Sequence, residues 1–89
     1  MIIFKYALEA TDFQEIRLPR GAEVLHVGCQ RGDLFLWAMV NDDADIGPRW
    51  FEINGTGNRL PDRPEYKRNF IGTVILPVFV WHVFELTER

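Results

Sequence analysis

The chain has no serine, a single cysteine (Cys29) and only two histidines, His26 and His82. The missing serine removes serine-nucleophile chemistry. One cysteine cannot close an internal disulfide, so a disulfide-stapled secreted domain is not expected. Two histidines with no metal-ligand spacing argue against a zinc site. The acidic run Asp42, Asp43 and Asp45 lacks the glycine and closing glutamate of a calcium loop. No metal and no cofactor are expected. Basic excess is also lacking, since the formal net charge is −3. Generic DNA binding, which draws on a basic surface, is therefore not expected. No apolar stretch approaches the ~18 residues of a membrane span. The start, Met1-Ile2-Ile3-Phe4-Lys5-Tyr6, places its lysine after the apolar residues, unlike a signal peptide. The expectation is a protein of the cytoplasm with no membrane partner.

What is present is apolar and aromatic. Of the 89 residues, 47% are hydrophobic and 13% aromatic. A chain of this size forms one domain over residues 1–89 and buries only about 60–65% of its unfolded surface, so its core must be dense. The aromatic share is large enough to leave apolar side chains at the surface, which favours a homo-oligomer.

The period of the apolar residues is close to two throughout, the mark of strands. Ile2–Leu8 alternates Ile2, Phe4, Tyr6 and Leu8 against Lys5. Phe13–Leu18 alternates as well. Asp12 with Glu15 could open a short helix there, but Pro19 would end it early, and a strand is favoured. Glu23–Gln30, Leu34–Val40 and Arg49–Asn54 come next, separated by Pro19-Arg20-Gly21, by Arg31-Gly32-Asp33 at hairpin length, and by the acidic loop 41–48. Tyr66–Leu76 and Val78–Leu86 complete the set. Leu34–Val40 and Val78–Leu86 are apolar on both faces, as interior strands are. The expected fold is all-β, a single small antiparallel β-sandwich or partly open barrel of about seven strands.

Candidate sites are few. Cys29 shares its strand face with Leu25 and Val27 and opposes His26, which reads as a buried inert thiol rather than a thiol–imidazole pair. No nucleophile–base pair or carboxylate site can be argued, so no catalytic residue is assigned and the protein is not expected to be an enzyme. Gly55-Thr56-Gly57 lacks the Lys-Ser/Thr ending of a phosphate-binding loop, and a strand-ending turn is its simpler reading. The segment immediately after it supports a second reading. Residues 59–68 carry Arg59, Arg63, Lys67 and Arg68 against Asp62 and Glu65, a local net of +2 that leaves −5 for the rest of the chain. A glycine-lined backbone beside arginines can cradle an anion such as a phosphate. Trp50 and Tyr66 flank that segment and could stack on a base, whereas Trp37 and Trp81 read as core. His82 interrupts an apolar face, where it is either a satisfied core group or a ligand. The candidate ligand-binding set is thus Trp50, Gly55, Thr56, Gly57, Arg59, Arg63, Tyr66, Lys67, Arg68 and His82.

The order of short motifs resembles a family of small bacteriophage proteins, a domain of unknown function, DUF7352. The matching residues are Lys5-Tyr6 with Leu8-Glu9, Gln14-Glu15-Ile16, Pro19-Arg20-Gly21-Ala22 and Val24-Leu25 with Val27 and Gln30. They continue through Leu36-Trp37-Ala38-Met39-Val40, Gly55-Thr56-Gly57, Ile71-Gly72-Thr73 and Val80-Trp81-His82-Val83-Phe84-Glu85. Asn58 stands where the family often has histidine, and Pro77 where it often has a glycine-rich turn. The resemblance implies a non-enzymatic phage or prophage accessory protein in the cytoplasm of the bacterial host. Its implied partner is a host defence protein or a small anionic nucleotide. A protein–protein inhibitor acting through a sheet edge or aromatic patch, or a minor virion structural protein, is the alternative.

Overall fold

The computed structural model describes residues 1–89 as seven strands and no helix. They are β1 (Ile2–Leu8), β2 (Gln14–Pro19), β3 (Glu23–Gln30), β4 (Asp33–Val40), β5 (Ile46–Gly55), β6 (Tyr66–Ile75) and β7 (Val80–Glu88). All pairings are antiparallel. Sheet A has the order β1-β4-β3 and sheet B the order β2-β5-β7-β6. Both sheets are open, and the Cα extents of 40 × 34 × 15 Å leave room along the short axis for just these two layers, as two sheets stack about 10 Å apart. The sheets approach most closely where β3 meets β6. The expected sandwich is therefore observed, and the barrel alternative is not. β5 begins earlier than its apolar pattern suggests, because Ile46, Gly47 and Pro48 pair with Pro19, Leu18 and Arg17 at the sheet edge.

The two doubly apolar segments occupy interior positions, β4 in sheet A and β7 in sheet B. The core lies between the sheets. Leu34, Leu36, Ala38 and Val40 of β4 meet Phe51 and Ile53 of β5 and Val83 of β7, with Leu8, Leu18, Val27 and Val74 around them. Only one face of β4 is covered, however. Phe35, Trp37 and Met39 stand on its outer face and are half-buried. Trp37, expected in the core, instead lies in a surface row with Phe35 and His26, with ring centroids 6.2 and 6.0 Å away. Apolar residues on both faces make a strand interior within its sheet, but a three-stranded sheet has a partner layer on one side only.

Bulges adjust β3 and β6. The register slips between Val24 and His26 and again between Phe70 and Gly72. An extra residue reverses the facing of everything beyond it. Val24 and Val27 thus both face the core while Leu25 is exposed, which corrects the simple alternation read for this strand. Cys29 is exposed, not buried. It opposes Leu34 near the turn, on an edge strand with a hydrogen-bonded neighbour on one side only.

The β3–β4 turn places Arg31 at φ 55° and Gly32 at φ 84°. Two successive positive φ values are the type I′ hairpin geometry, which asks for Asn-Gly rather than Arg-Gly. Arg31→Asn is expected to raise stability by about 0.5 kcal/mol, read as a higher urea midpoint with an unchanged slope.

Candidate functional site

The face of sheet B turned away from sheet A carries most of the sequence-predicted residues, and Glu52, Asn54 and Leu86 on it are buried. Cross-strand register sets three rows. Trp50 pairs with Leu86 and Leu86 with Arg68; Glu52 pairs with Phe84 and Phe84 with Phe70; Asn54 pairs with His82 and His82 with Thr73. The chain 56–65 leaves β5 and folds back beside this face before entering β6.

The centre of the face is Glu52, whose side chain is 0% exposed. An isolated carboxylate there would be costly, and it is fully partnered instead. Arg63 Nε donates to Oε2 at 2.6 Å, Arg68 Nε and Nη2 donate to Oε1 and Oε2 at 2.5 and 3.1 Å, and Asn54 Nδ2 donates to Oε1 at 2.9 Å. Arg68 reaches Glu52 from β6 across the buried Leu86 of β7. The two guanidiniums also hold the loop: Arg63 Nη2 donates to the Asp12 carbonyl at 2.8 Å, and Arg68 Nη2 donates to the Pro61 carbonyl. Arg63 further stacks 4.8 Å from the Phe13 ring centroid. Burial alone would push the Glu52 carboxyl up, but the hydrogen bonds from Arg68, Arg63 and Asn54 and the charge of Arg68 outweigh it, and the group ends below its ordinary value. Arg68 is correspondingly held above its ordinary value, first by its bond to Glu52.

The ten sequence-predicted residues fall into three groups. Arg63 and Arg68 are ion-paired to Glu52 as described. Gly55, Thr56, Gly57 and Arg59 form the turn at one end of sheet B, with His82 alongside. Trp50, Tyr66 and Lys67 lie at the opposite end, where Tyr66 pairs with Glu88 and Lys67 with Thr87. The five residue steps from Trp50 to Gly55 span about 17 Å of strand, so Trp50 does not flank the glycine turn in space. Tyr66 packs instead on Phe13, with ring centroids 6.3 Å apart. Trp50 lines a cleft of about 330 Å³ with Pro48, Arg49 and Leu86. The guanidinium in that cleft is internally paired: Arg49 makes two bonds to the Glu85 carboxylate, at 2.5 and 2.9 Å, and one to the Ala22 carbonyl at 2.7 Å. The bond to Glu85 is the main reason the Arg49 guanidinium is held above its ordinary value.

At the glycine end, Gly55 pairs with Trp81, and Thr56 N donates to the Val80 carbonyl at 3.2 Å. Gly57 has φ 88°, the positive value that a strand-ending turn needs. His82 is held between two hydroxyls, with Thr56 Oγ1 2.7 Å from Nε2 and Thr73 Oγ1 3.0 Å from Nδ1. A neutral imidazole has one donor and one acceptor, and this pair of hydroxyls satisfies both. No carboxylate touches the ring to stabilise an imidazolium, as the third member of a catalytic triad does.

Beside this turn stands the β6–β7 tip, closed by Leu76 N donating to the Phe79 carbonyl at 2.8 Å. Ile75, Val78 and Phe79 are exposed on it, Val78 to 81%. Phe79 stacks on Trp81 with ring centroids 5.4 Å apart and planes 22° from parallel. A cleft of about 380 Å³ runs between turn and tip, lined by Gly55, Thr56, Asn58, Val78, Phe79, Val80 and Trp81. A second, of about 310 Å³, shares Gly55, Asn58 and Trp81 and adds Arg59. Arg59 makes no ion pair within the chain, leaving its charge available to a ligand.

Residues 1–89 match the family model described as a domain of unknown function, DUF7352. The chain belongs to the DUF7352 family. Comparison with curated proteins and with solved structures finds no match. In this DUF7352 chain, the resembling motifs Gly55-Thr56-Gly57, Ile71-Gly72-Thr73 and Val80-Trp81-His82 meet in space through the His82 hydrogen bonds. Sequence reasoning missed Val78, Phe79, Asn58 and Trp81 as members of this end, and Glu52 as the partner of the arginines. The apolar tip did carry a signal: Pro77-Val78-Phe79 is a turn built of residues that water disfavours.

Proposed function

We propose that this protein is a non-enzymatic binding protein that serves a bacteriophage or prophage inside its bacterial host by occupying a protein of the host's defences. The observation that carries the reading is the β6–β7 tip. Its exposed Val78 and Phe79, with Phe79 stacked on Trp81, form an apolar anchor rimmed by the polar Thr56, Asn58 and Arg59. Interfaces take most of their energy from such a cluster of aromatic and aliphatic anchors inside a polar rim.

The paired Val78→Asp and Phe79→Asp variant tests the reading. Both side chains are exposed, so the fold should persist. Wild-type protein expressed in a defended bacterium is expected to restore phage plating, and the variant to lose that effect. In a purified pair with the captured host protein, affinity should fall by at least about thirtyfold, the loss of one anchor of about 2 kcal/mol. Equal plating by wild type and variant defeats the reading.

Sequestration of a small anionic nucleotide is the second reading, and Arg59 favours it. That guanidinium has no ion-pair partner within the chain and borders a cleft that includes Trp81 and Asn58. Calorimetric titration with cyclic nucleotides decides between the two. Heat that disappears in Arg59→Ala selects the nucleotide; no heat from any of them leaves the protein partner.

A further inference from the structure

The four sheet edges differ in how they are protected. β2 carries Glu15, Arg17 and Pro19, β3 has a bulge at Leu25, and β6 has a bulge at Ile71 and lies against β3. Charges, proline, bulges and cover are the devices that keep an edge from pairing with another chain. β1 has no proline, no bulge and no covering element. Its seven residues pair with β4 in unbroken register, and its other side has no neighbour. Its one charge is drawn off the edge. Lys5 Nζ donates to Gln30 Oε1 on β3 at 2.7 Å and lies 4.4 Å from the Phe35 ring centroid, so the side chain crosses β4 inward.

Burial along the sheet points the same way. Ile2 and Phe4 are in register with Val40 and Ala38 on the core-facing side. The β4 members of those rows are 0% exposed, while Ile2 and Phe4 are 41% and 39% exposed. The apolar rows of the core therefore continue one strand beyond the layer that covers them. Ile3, on the opposite face, is exposed as well.

We infer that β1 pairs antiparallel with β1 of a second copy of this chain, across a two-fold axis normal to the sheet, joining two three-stranded sheets into one of six strands. Antiparallel pairing of identical strands is two-fold symmetric, so the contact closes at two copies. The register is selected by charge. An axis at Lys5 would set the two lysines opposite each other, which is unfavourable. An axis at Phe4 sets Phe4 against its own counterpart, Ile2 against Tyr6 and Ile3 against Lys5, and keeps core-facing side chains on one side. The exposed parts of Ile2, Ile3 and Phe4 amount to on the order of 500 Å² over two copies, and the backbone edges and flanking side chains bring the total to about the 1,000 Å² that a specific interface needs.

Sedimentation equilibrium of the full chain at about 0.1 mM, where even a weak dimer is populated, is expected to give twice the chain mass of 10.4 kDa. The doubly substituted Ile2→Lys and Phe4→Lys variant should give the single-chain mass with an unchanged strand spectrum, while Val78→Asp should remain dimeric. A monomeric wild type, or a dimer that survives the β1 substitutions, overturns the inference. Should the double variant fail to fold, Phe4→Cys in a Cys29→Ala background decides. Paired Cα atoms in an antiparallel ladder are about 4.5–5.5 Å apart, within disulfide reach. Oxidation should link that variant into a covalent dimer and leave Ile75→Cys unlinked; no link at Phe4 overturns the inference.

Discussion

Replacing Phe51 by alanine is expected to destabilise the protein by about 4 kcal/mol and to lower its melting temperature by about 20 °C. Phe51 is the bulkiest of the fully buried side chains and sits at the middle of the core, on β5 between Gln14 of β2 and Glu85 of β7. Its removal forfeits the transfer of a whole ring and leaves a cavity that two sheets, tied by their ladders, can close only in part. A domain of this size has a total stability of about 5–10 kcal/mol, so roughly half is at stake. Phe70→Ala is the matched control. That phenylalanine is 61% exposed, and its main aromatic contact is an edge-on one with Phe84, so a loss below about 1 kcal/mol is expected. Thermal unfolding followed by circular dichroism reads both, and equal losses from the two substitutions would contradict a core centred on Phe51.

Glu52→Gln is expected to lower stability by about 3 kcal/mol at neutral pH. The substitution keeps the shape and removes the charge, leaving Arg63 and Arg68 to face each other across a neutral amide. Removing one member of a buried ion cluster costs about 3–5 kcal/mol, and the low end applies because the arginine side chains retain 18% and 24% exposure. The loop 56–65 should also loosen, since both of its arginine tethers run through this carboxylate. Faster amide hydrogen exchange of Tyr66, whose N–H donates to the Arg63 carbonyl, would report it.

The same carboxylate gives the stability a pH dependence of defined sign. Its folded-state value lies below its ordinary one, so the unfolded chain takes up the proton first as pH falls. Its contribution is whole above the unfolded value of about 4.3 and is lost as pH drops through the depressed folded value. The gap in urea midpoint between wild type and Glu52→Gln should therefore be widest near neutrality and narrow steadily below about pH 4. A gap that stays constant down to about pH 2 would show that the charge on Glu52 contributes nothing to stability.

Several residues mark the limit of what local pattern can specify. Arg63 and Arg68 look like free cations in a loop. Their partner Glu52 lies eleven and sixteen residues upstream, and only the β5–β7–β6 register brings it under them. Trp37 sits in a run apolar at every position, yet its face of β4 has no layer above it. Cys29 shares the alternation of Val27 but stands near a turn on an edge strand. Trp50 and Tyr66 flank Gly55–Gly57 in sequence, while the strands carry them to the far end of the sheet. The tip residues Val78 and Phe79 are legible as apolar but continue the strand pattern of β7, and only the hairpin closure at Leu76 sets them apart from it.

The strand positions, the all-β class, the β3–β4 hairpin turn and the family resemblance come from the order of residues alone. These depend on period-two alternation and on turn chemistry, which act over a few neighbouring residues. Which face of each strand is covered, which sheet it joins, which acid neutralises which arginine and which motifs share one end of sheet B depend on packing between segments far apart in the chain. That packing decided that the glycine turn keeps Arg59, Trp81 and Phe79 as its neighbours, and that Arg63 and Arg68 hold the fold together.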